Sequence, residues 1–203
     1  MPAGFQSLPM ARLQRTLFTT PVVNWLLGGF SRLYLRLAGW KIEGRLEVDK
    51  CVLIAAPHTS NWDLPLTLMT AFVLDLRLHW LGKHTIFKFP FGPVMRWLGG
   101  IAVHRHQSNN LVANSAQALR EFDGKVQLII PPEGTRDKVT TWKTGFYWIA
   151  QQAGVPIQLA YMDYANKRAG LGPLLHPSGD IEADMVTIKA FYAPFMGKHA
   201  SKT

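Results

Sequence analysis

Short apolar runs and longer stretches of helical periodicity alternate along this chain. Residues 51–56, Cys-Val-Leu-Ile-Ala-Ala, contain no polar position and stop at Pro57, the pattern of a strand buried on both faces. Residues 78–81, 100–103, 126–130 and 155–161 read as further strands, the last with Pro156 near its start. Between them, residues 64–74 predict a helix in which Pro65 is tolerable only in the first turn, placing the helix start at 61–63. Residues 109–122 predict an amphipathic helix with Leu111, Val112, Ser115, Ala118, Leu119 and Phe122 inward, ended by Gly124. A helix over 142–152 stops at Gly154, and Asp180 reads as the cap of a last helix reaching Tyr192. Such alternation predicts an α/β domain: a single domain with a central, mostly parallel sheet flanked by helices. Polar groups that follow its strands then gather at their carboxyl ends.

Ahead of this domain, residues 22–37 predict a helix on which Asn24, Gly28, Arg32 and Arg36 fall four apart. A broad apolar face with Val23, Trp25, Leu26, Leu27, Phe30, Leu33, Tyr34 and Leu37 remains. Its arginines interrupt it before the ~20 apolar residues that a bilayer span requires. Such a face suits either a membrane surface or packing on the domain. The organisation expected is an N-terminal amphipathic, membrane-associating segment over 1–45, a domain over 46–195 and a loose tail over 196–203.

Composition narrows this picture. The 203 residues suit one domain with its own core. Lysine and arginine total 22 against 13 aspartates and glutamates, a formal charge of +9, which favours phosphate-bearing partners. Cys51 is the only cysteine, excluding an intrachain disulfide framework and a cysteine-based zinc site. Zinc-finger spacing, RNP-like aromatic strands and basic runs are all missing, so no nucleic-acid partner is expected. No second histidine follows closely in an H-E-x-x-H manner, and neither a metal nor another cofactor is expected.

Three polar clusters follow three of the expected strands. The first, 57–63, carries His58 and Asp63, which can fold back on each other so that the carboxylate sets the tautomer of a general base. Ser60-x-x-Asp63 is equally a helix-capping pattern, and both readings stay open. The second, 103–106, holds Arg105 between His104 and His106, compatible with a solvated strand end. The third, 131–137, contains Glu133-Gly134-Thr135-Arg136, a turn with a hydroxyl and a guanidinium able to fork onto phosphate, or a plain surface turn.

Taken together, the clusters resemble the glycerolipid acyltransferases, the family containing bacterial lysophosphatidate (1-acyl-sn-glycerol-3-phosphate) acyltransferase. His58 and Asp63, with Ser60-Asn61-Trp62 between, match the family's His-x4-Asp motif. Gly100 to Arg105, Pro132 to Arg136 and Val155-Pro156-Ile157 match three further motifs in family order. Pro131, Asp137 and His104 stand where the family commonly has Phe, Ser and an acidic residue. The resemblance implies His58 as general base, Asp63 as its orienting carboxylate, and Arg105, Glu133, Gly134, Thr135 and Arg136 as acceptor-binding residues. It further implies acyl-CoA or acyl carrier protein as donor and a lysolipid as acceptor. Lysophosphatidate leads, with another lysophospholipid or an amino-acid-derived lysolipid as alternatives. A lipid-binding protein without turnover is a reading from another class. The cationic, aromatic stretch 83–97 and the N-terminal helix are expected to rest on an anionic membrane, at the cytoplasmic face of the cell membrane.

Overall fold

The computed structural model describes residues 16–103 and 108–202. A helix α1 (Pro21–Leu37) leads into β1 (Lys41–Glu43), β2 (Lys50–Ala56), α2 (Asp63–Val73) and β3 (Leu78–Lys83). Then follow α3 (Gly92–Trp97), β4 (Gly100–Val103), α4 (Ser108–Glu121) and β5 (Val126–Ile130). The chain continues through α5 (Gly145–Ala153), β6 (Ile157–Asp163), β7 (Arg168–Leu175) and α6 (Ile181–Tyr192). The strands form one seven-stranded sheet in the order β1-β7-β6-β2-β5-β3-β4. All neighbours run parallel except β6 and β7. The expected α/β class and mostly parallel sheet are thus observed.

β2 sits at the centre, between β6 and β5. Its apolar run has no alternation because both faces are covered. Val52, Ile54 and Ala56 join a core with Leu119 of α4, Phe146 and Ile149 of α5 and Ile188 of α6. Cys51 and Leu53 join an opposite core with Phe18, Phe72 and Leu76. Fully burying side chains of this size contributes about 1.5–3 kcal/mol each, so the strand is pinned from two sides.

Two strands escape the sequence pattern. β7 contains Gly170, Gly172 and Pro173, residues depleted in strands. It holds because β1 pairs only with residues 168–170, leaving Pro173 on an edge where its missing N–H costs nothing. At Gly170 a Cβ would lie 2.1 Å from the Glu43 carbonyl oxygen, so the close approach of β1 requires glycine. Glu43 also receives a forked pair from Arg168 at 3.0 and 2.6 Å and accepts from the Tyr161 hydroxyl at 2.5 Å. A boundary after residue 45 therefore cuts through the sheet, because β1 already belongs to the domain.

Helix α1 inverts the usual arrangement of a surface helix. Its buried residues are Gly28, Ser31 and Leu35, and Asn24 turns inward, its side-chain amide donating to the Phe18 carbonyl. Trp25, Leu26, Phe30, Leu33 and Leu37 are exposed, Trp25 by 76% and Leu37 by 78%. The stripe Asn24-Gly28-Arg32-Arg36 is therefore split, its first half turned to the domain and both arginines exposed. Small residues permit close packing on the domain with Leu35, Val23 and Leu27, and most of the large apolar ones remain uncovered.

Candidate active site

At the carboxyl end of β2 the chain turns through 57–62 and starts α2 at Asp63. The Asp63 carboxylate is the anchor of this loop. Oδ2 accepts from the backbone N–H groups of Thr59 and Ser60, both at 2.9 Å, and lies 2.9 Å from His58 Nδ1. Oδ1 accepts from the Tyr164 hydroxyl at 2.7 Å. Both readings hold at once: Ser60 Oγ accepts from Trp62 N at 3.2 Å and Asp63 reaches back to the Ser60 N–H, the bonds of a capping turn, while the same carboxylate holds His58.

Asp63 is 5% exposed. Burial pushes its pKa up, but the hydrogen bonds from His58, Tyr164 and Ser60 outweigh that and hold it below the usual aspartate value. The carboxylate therefore stays charged. Facing it, the Tyr164 phenol is pushed up by burial and by the same carboxylate, and remains a donor. With Nδ1 engaged, His58 has Nε2 left for a proton from outside.

The third cluster follows β5, the neighbour of β2 in the sheet. Glu133 turns towards the first loop, where Oε1 accepts from the His58 N–H at 3.2 Å, while Oε2 is buried without a hydrogen-bond partner. Burial raises its pKa against the opposing pull of the His58 N–H. Glutamate thus braces the histidine loop, rather than the arginine that a phosphate-binding turn would suggest. Gly134 has φ +67°, so the turn favours glycine. Thr135 and Arg136 are exposed along the rim. Arg105, with His104 and His106, lies outside the described residues.

Two depressions meet at His58. An apolar groove of about 380 Å³ runs over Leu64, Leu68, Leu78, Trp80 and Leu81. A polar hollow of about 640 Å³ is walled by Thr59, Asn61, Thr135, Arg136, His199 and Lys202. A small apolar cavity of about 50 Å³ lies below, against Leu53, Leu76 and Met162. His58 borders all three. Among the described residues, no group of three or more His, Cys, Asp and Glu is placed to hold a metal ion.

Sequence reasoning missed Tyr164 and the C-terminal segment. Tyr164 stands just past the carboxyl end of β6, the position rule that singled out the other clusters. That rule could have found it. Residues 196–202, expected to be loose, are laid against the site. Met196 O accepts from Tyr164 N at 2.9 Å, and His199 N donates to Thr59 Oγ1 at 3.2 Å. No local apolar pattern could have revealed this.

The architecture has a known counterpart. The 1-acyl-sn-glycerophosphate (LPA) acyltransferase PlsC from Thermotoga maritima superposes with a TM-score of 0.58 over 83% of this chain and 76% of that one, at 20% identity. At that identity the likeness is one of fold. None of the curated proteins compared matches the chain. The acyltransferase family model matches residues 40–162, which include β1 to β5, β6 up to its penultimate residue, and the first and third clusters. The chain therefore belongs to the acyltransferase family.

Proposed function

We propose that this protein moves a fatty acyl group from a thioester, carried by acyl-CoA or acyl carrier protein, onto the free hydroxyl of a lysolipid in phospholipid biosynthesis. The observation that carries this reading is the position of His58: a base with an oriented ring, at the junction of an apolar groove and a polar hollow. The groove suits an acyl chain and the hollow a polar head. Lysophosphatidate is the leading acceptor, because Arg136 and, by family resemblance, Arg105 offer guanidinium groups to its phosphate.

In this mechanism His58 Nε2 takes the acceptor's hydroxyl proton as that oxygen bonds to the thioester carbonyl carbon. Asp63 holds the ring and stabilises the imidazolium. The tetrahedral adduct then expels the thiolate, which receives the proton, leaving an ester and a thiol. No acyl-enzyme forms. The thioester is already activated, so alignment and exclusion of water are what the site must supply. Purified protein, labelled acyl-CoA and acyl carrier protein, and a panel of lysolipids separated by mass form the test. Product from the wild type and none from His58→Ala is expected. Near wild-type turnover by that variant would refute the mechanism.

The uncovered face of α1 supports a membrane part of the same proposal. Its exposed Trp25, Phe30 and Leu33 are joined by exposed Phe89, Phe91 and Val94 around α3, and Leu17 N–H donates to Trp97 O at 2.9 Å, tying the α1 entrance to α3. No helix among the described residues is long and apolar enough to cross a membrane. The proposed arrangement is peripheral, with α1 lying in the anionic cytoplasmic leaflet that delivers the acceptor. Flotation with anionic vesicles checks this, and a protein left at the bottom of the gradient excludes it.

A further inference from the structure

The hollow beside His58 has a wall that no family motif supplies. From the end of α6 the chain returns across the site. Asp163, buried at the end of β6, accepts from Met196 N at 3.4 Å and from the Asn166 side chain at 2.7 Å. Farther on, the Lys198 ammonium sits 4.7 Å over the Trp62 ring. His199 is bonded to Thr59, and Lys202 Nζ reaches Asp137 Oδ1 at 2.7 Å, bridging to the third cluster. His199 and Lys202 thus face Arg136 across one hollow that opens on His58.

We infer that residues 198–202 form a phosphate subsite with Arg136, so that this chain's own C-terminal segment takes part in recognising a substrate. This rests on the acyl-transfer reading above. The chemistry is that of a phosphate ester: Arg136 presents a planar fork, Lys202 a point charge, and the His199 ring further donor capacity. Among the described residues Asp137 is the one carboxylate on this wall, and its pairing with Lys202 is exposed and therefore weak. An arriving phosphate draws Lys202 away from it at small cost. Two substrates carry such a group: the acceptor's phosphomonoester lies a few bonds from the reacting hydroxyl, and the donor's phosphates lie at the far end of its pantetheine arm.

The test measures KM separately for lysophosphatidate and for acyl-CoA with the full chain, a deletion of residues 198–203, Lys202→Gln and Asp137→Asn. The deletion is expected to raise one KM roughly tenfold, as loss of a charge-assisted contact does, with kcat little changed. A rise for lysophosphatidate assigns the subsite to the acceptor, and a rise for acyl-CoA assigns it to the donor. Lys202→Gln is expected to raise the same KM about threefold and Asp137→Asn to lower it, because the lysine is then released to the phosphate. If both substitutions raise KM alike, the pair is only a clasp and the inference fails. It fails too if the deletion leaves both constants unchanged. Should the full chain transfer no acyl group, the functional reading falls instead. The subsite is then tested by calorimetry with glycerol 3-phosphate and adenosine 3′,5′-bisphosphate, where equal affinity for full and shortened chains overturns it. Unfolding curves of the deletion variant confirm that it folds, and the two point variants decide the matter if it does not.

Discussion

Two loops end neighbouring strands of the sheet and are built in opposite ways. The loop after β2 is gathered round one buried carboxylate, with two backbone N–H groups, an imidazole and a phenol all directed at Asp63. The loop after β5 is braced at its root by Glu133 and by the Lys143 N–H on the Pro132 carbonyl, and then opens into exposed Thr135, Arg136 and Asp137. The contrast separates two tasks. Proton transfer needs a ring fixed in place and tautomer, whereas holding a polar head tolerates flexible, solvated side chains that adjust to the ligand. Altering the first loop should therefore change turnover, and altering the second should change KM.

The largest effect is expected at His58. His58→Ala should lower kcat on the order of 10²- to 10⁴-fold, the usual contribution of a general base, while circular dichroism remains that of the wild type. Asp63→Asn should come next, with a fall of similar order at the low end, because the amide no longer fixes the ring. This variant also has a thermodynamic signature. A carboxylate with a lowered folded pKa contributes stability that is whole above its unfolded value of about 3.9 and is lost as pH falls through the folded value. The stability gap between wild type and Asp63→Asn should therefore be constant near neutrality and narrow in acid below about pH 4. Chemical denaturation as a function of pH reads it directly.

Tyr164→Phe is the sharper probe of the same loop. It removes one donor to Asp63 Oδ1, which should destabilise the fold by about 1–2 kcal/mol and lower kcat several-fold without moving KM. A rise in KM instead would place the phenol in the substrate site. For the second loop, Arg136→Ala should raise the acceptor KM about tenfold, the loss of roughly 1.5 kcal/mol of charge-assisted bonding, with kcat nearly intact. Thr135→Val should have the smallest effect, within about threefold on KM. If Arg136→Ala lowered kcat as strongly as Asp63→Asn, the division of labour between the loops would be lost.

Much of this was legible in the chain itself. The buried strands announced themselves as apolar runs, since a strand covered on both faces needs no polar positions, and residues 51–56 and 126–130 are observed as expected within a residue or two. The helix placed at 142–152 starts only at Gly145, and Trp142 packs edge-on against Tyr192 ahead of it. Its apolar ring imitated a first turn. β7 stayed hidden because glycine and proline mask a strand whose neighbours permit them. The motif residues His58, Asp63 and Glu133 were found from their order and spacing, and they do converge.

Sequence by itself thus determined the alternating α/β plan, the central parallel strands and the loops in which polar groups gather, because periodicity, turn residues and motif spacing are local properties. Tertiary structure alone decided that Asp63, besides closing the turn into α2, holds His58, and that Tyr164, 101 positions away, engages its other oxygen. It also decided that α1 buries its glycine and serine and shows its tryptophan outward, and that residues 196–202 line the site. Those choices depend on which surfaces meet, and a chain records such meetings only through the packing of distant residues.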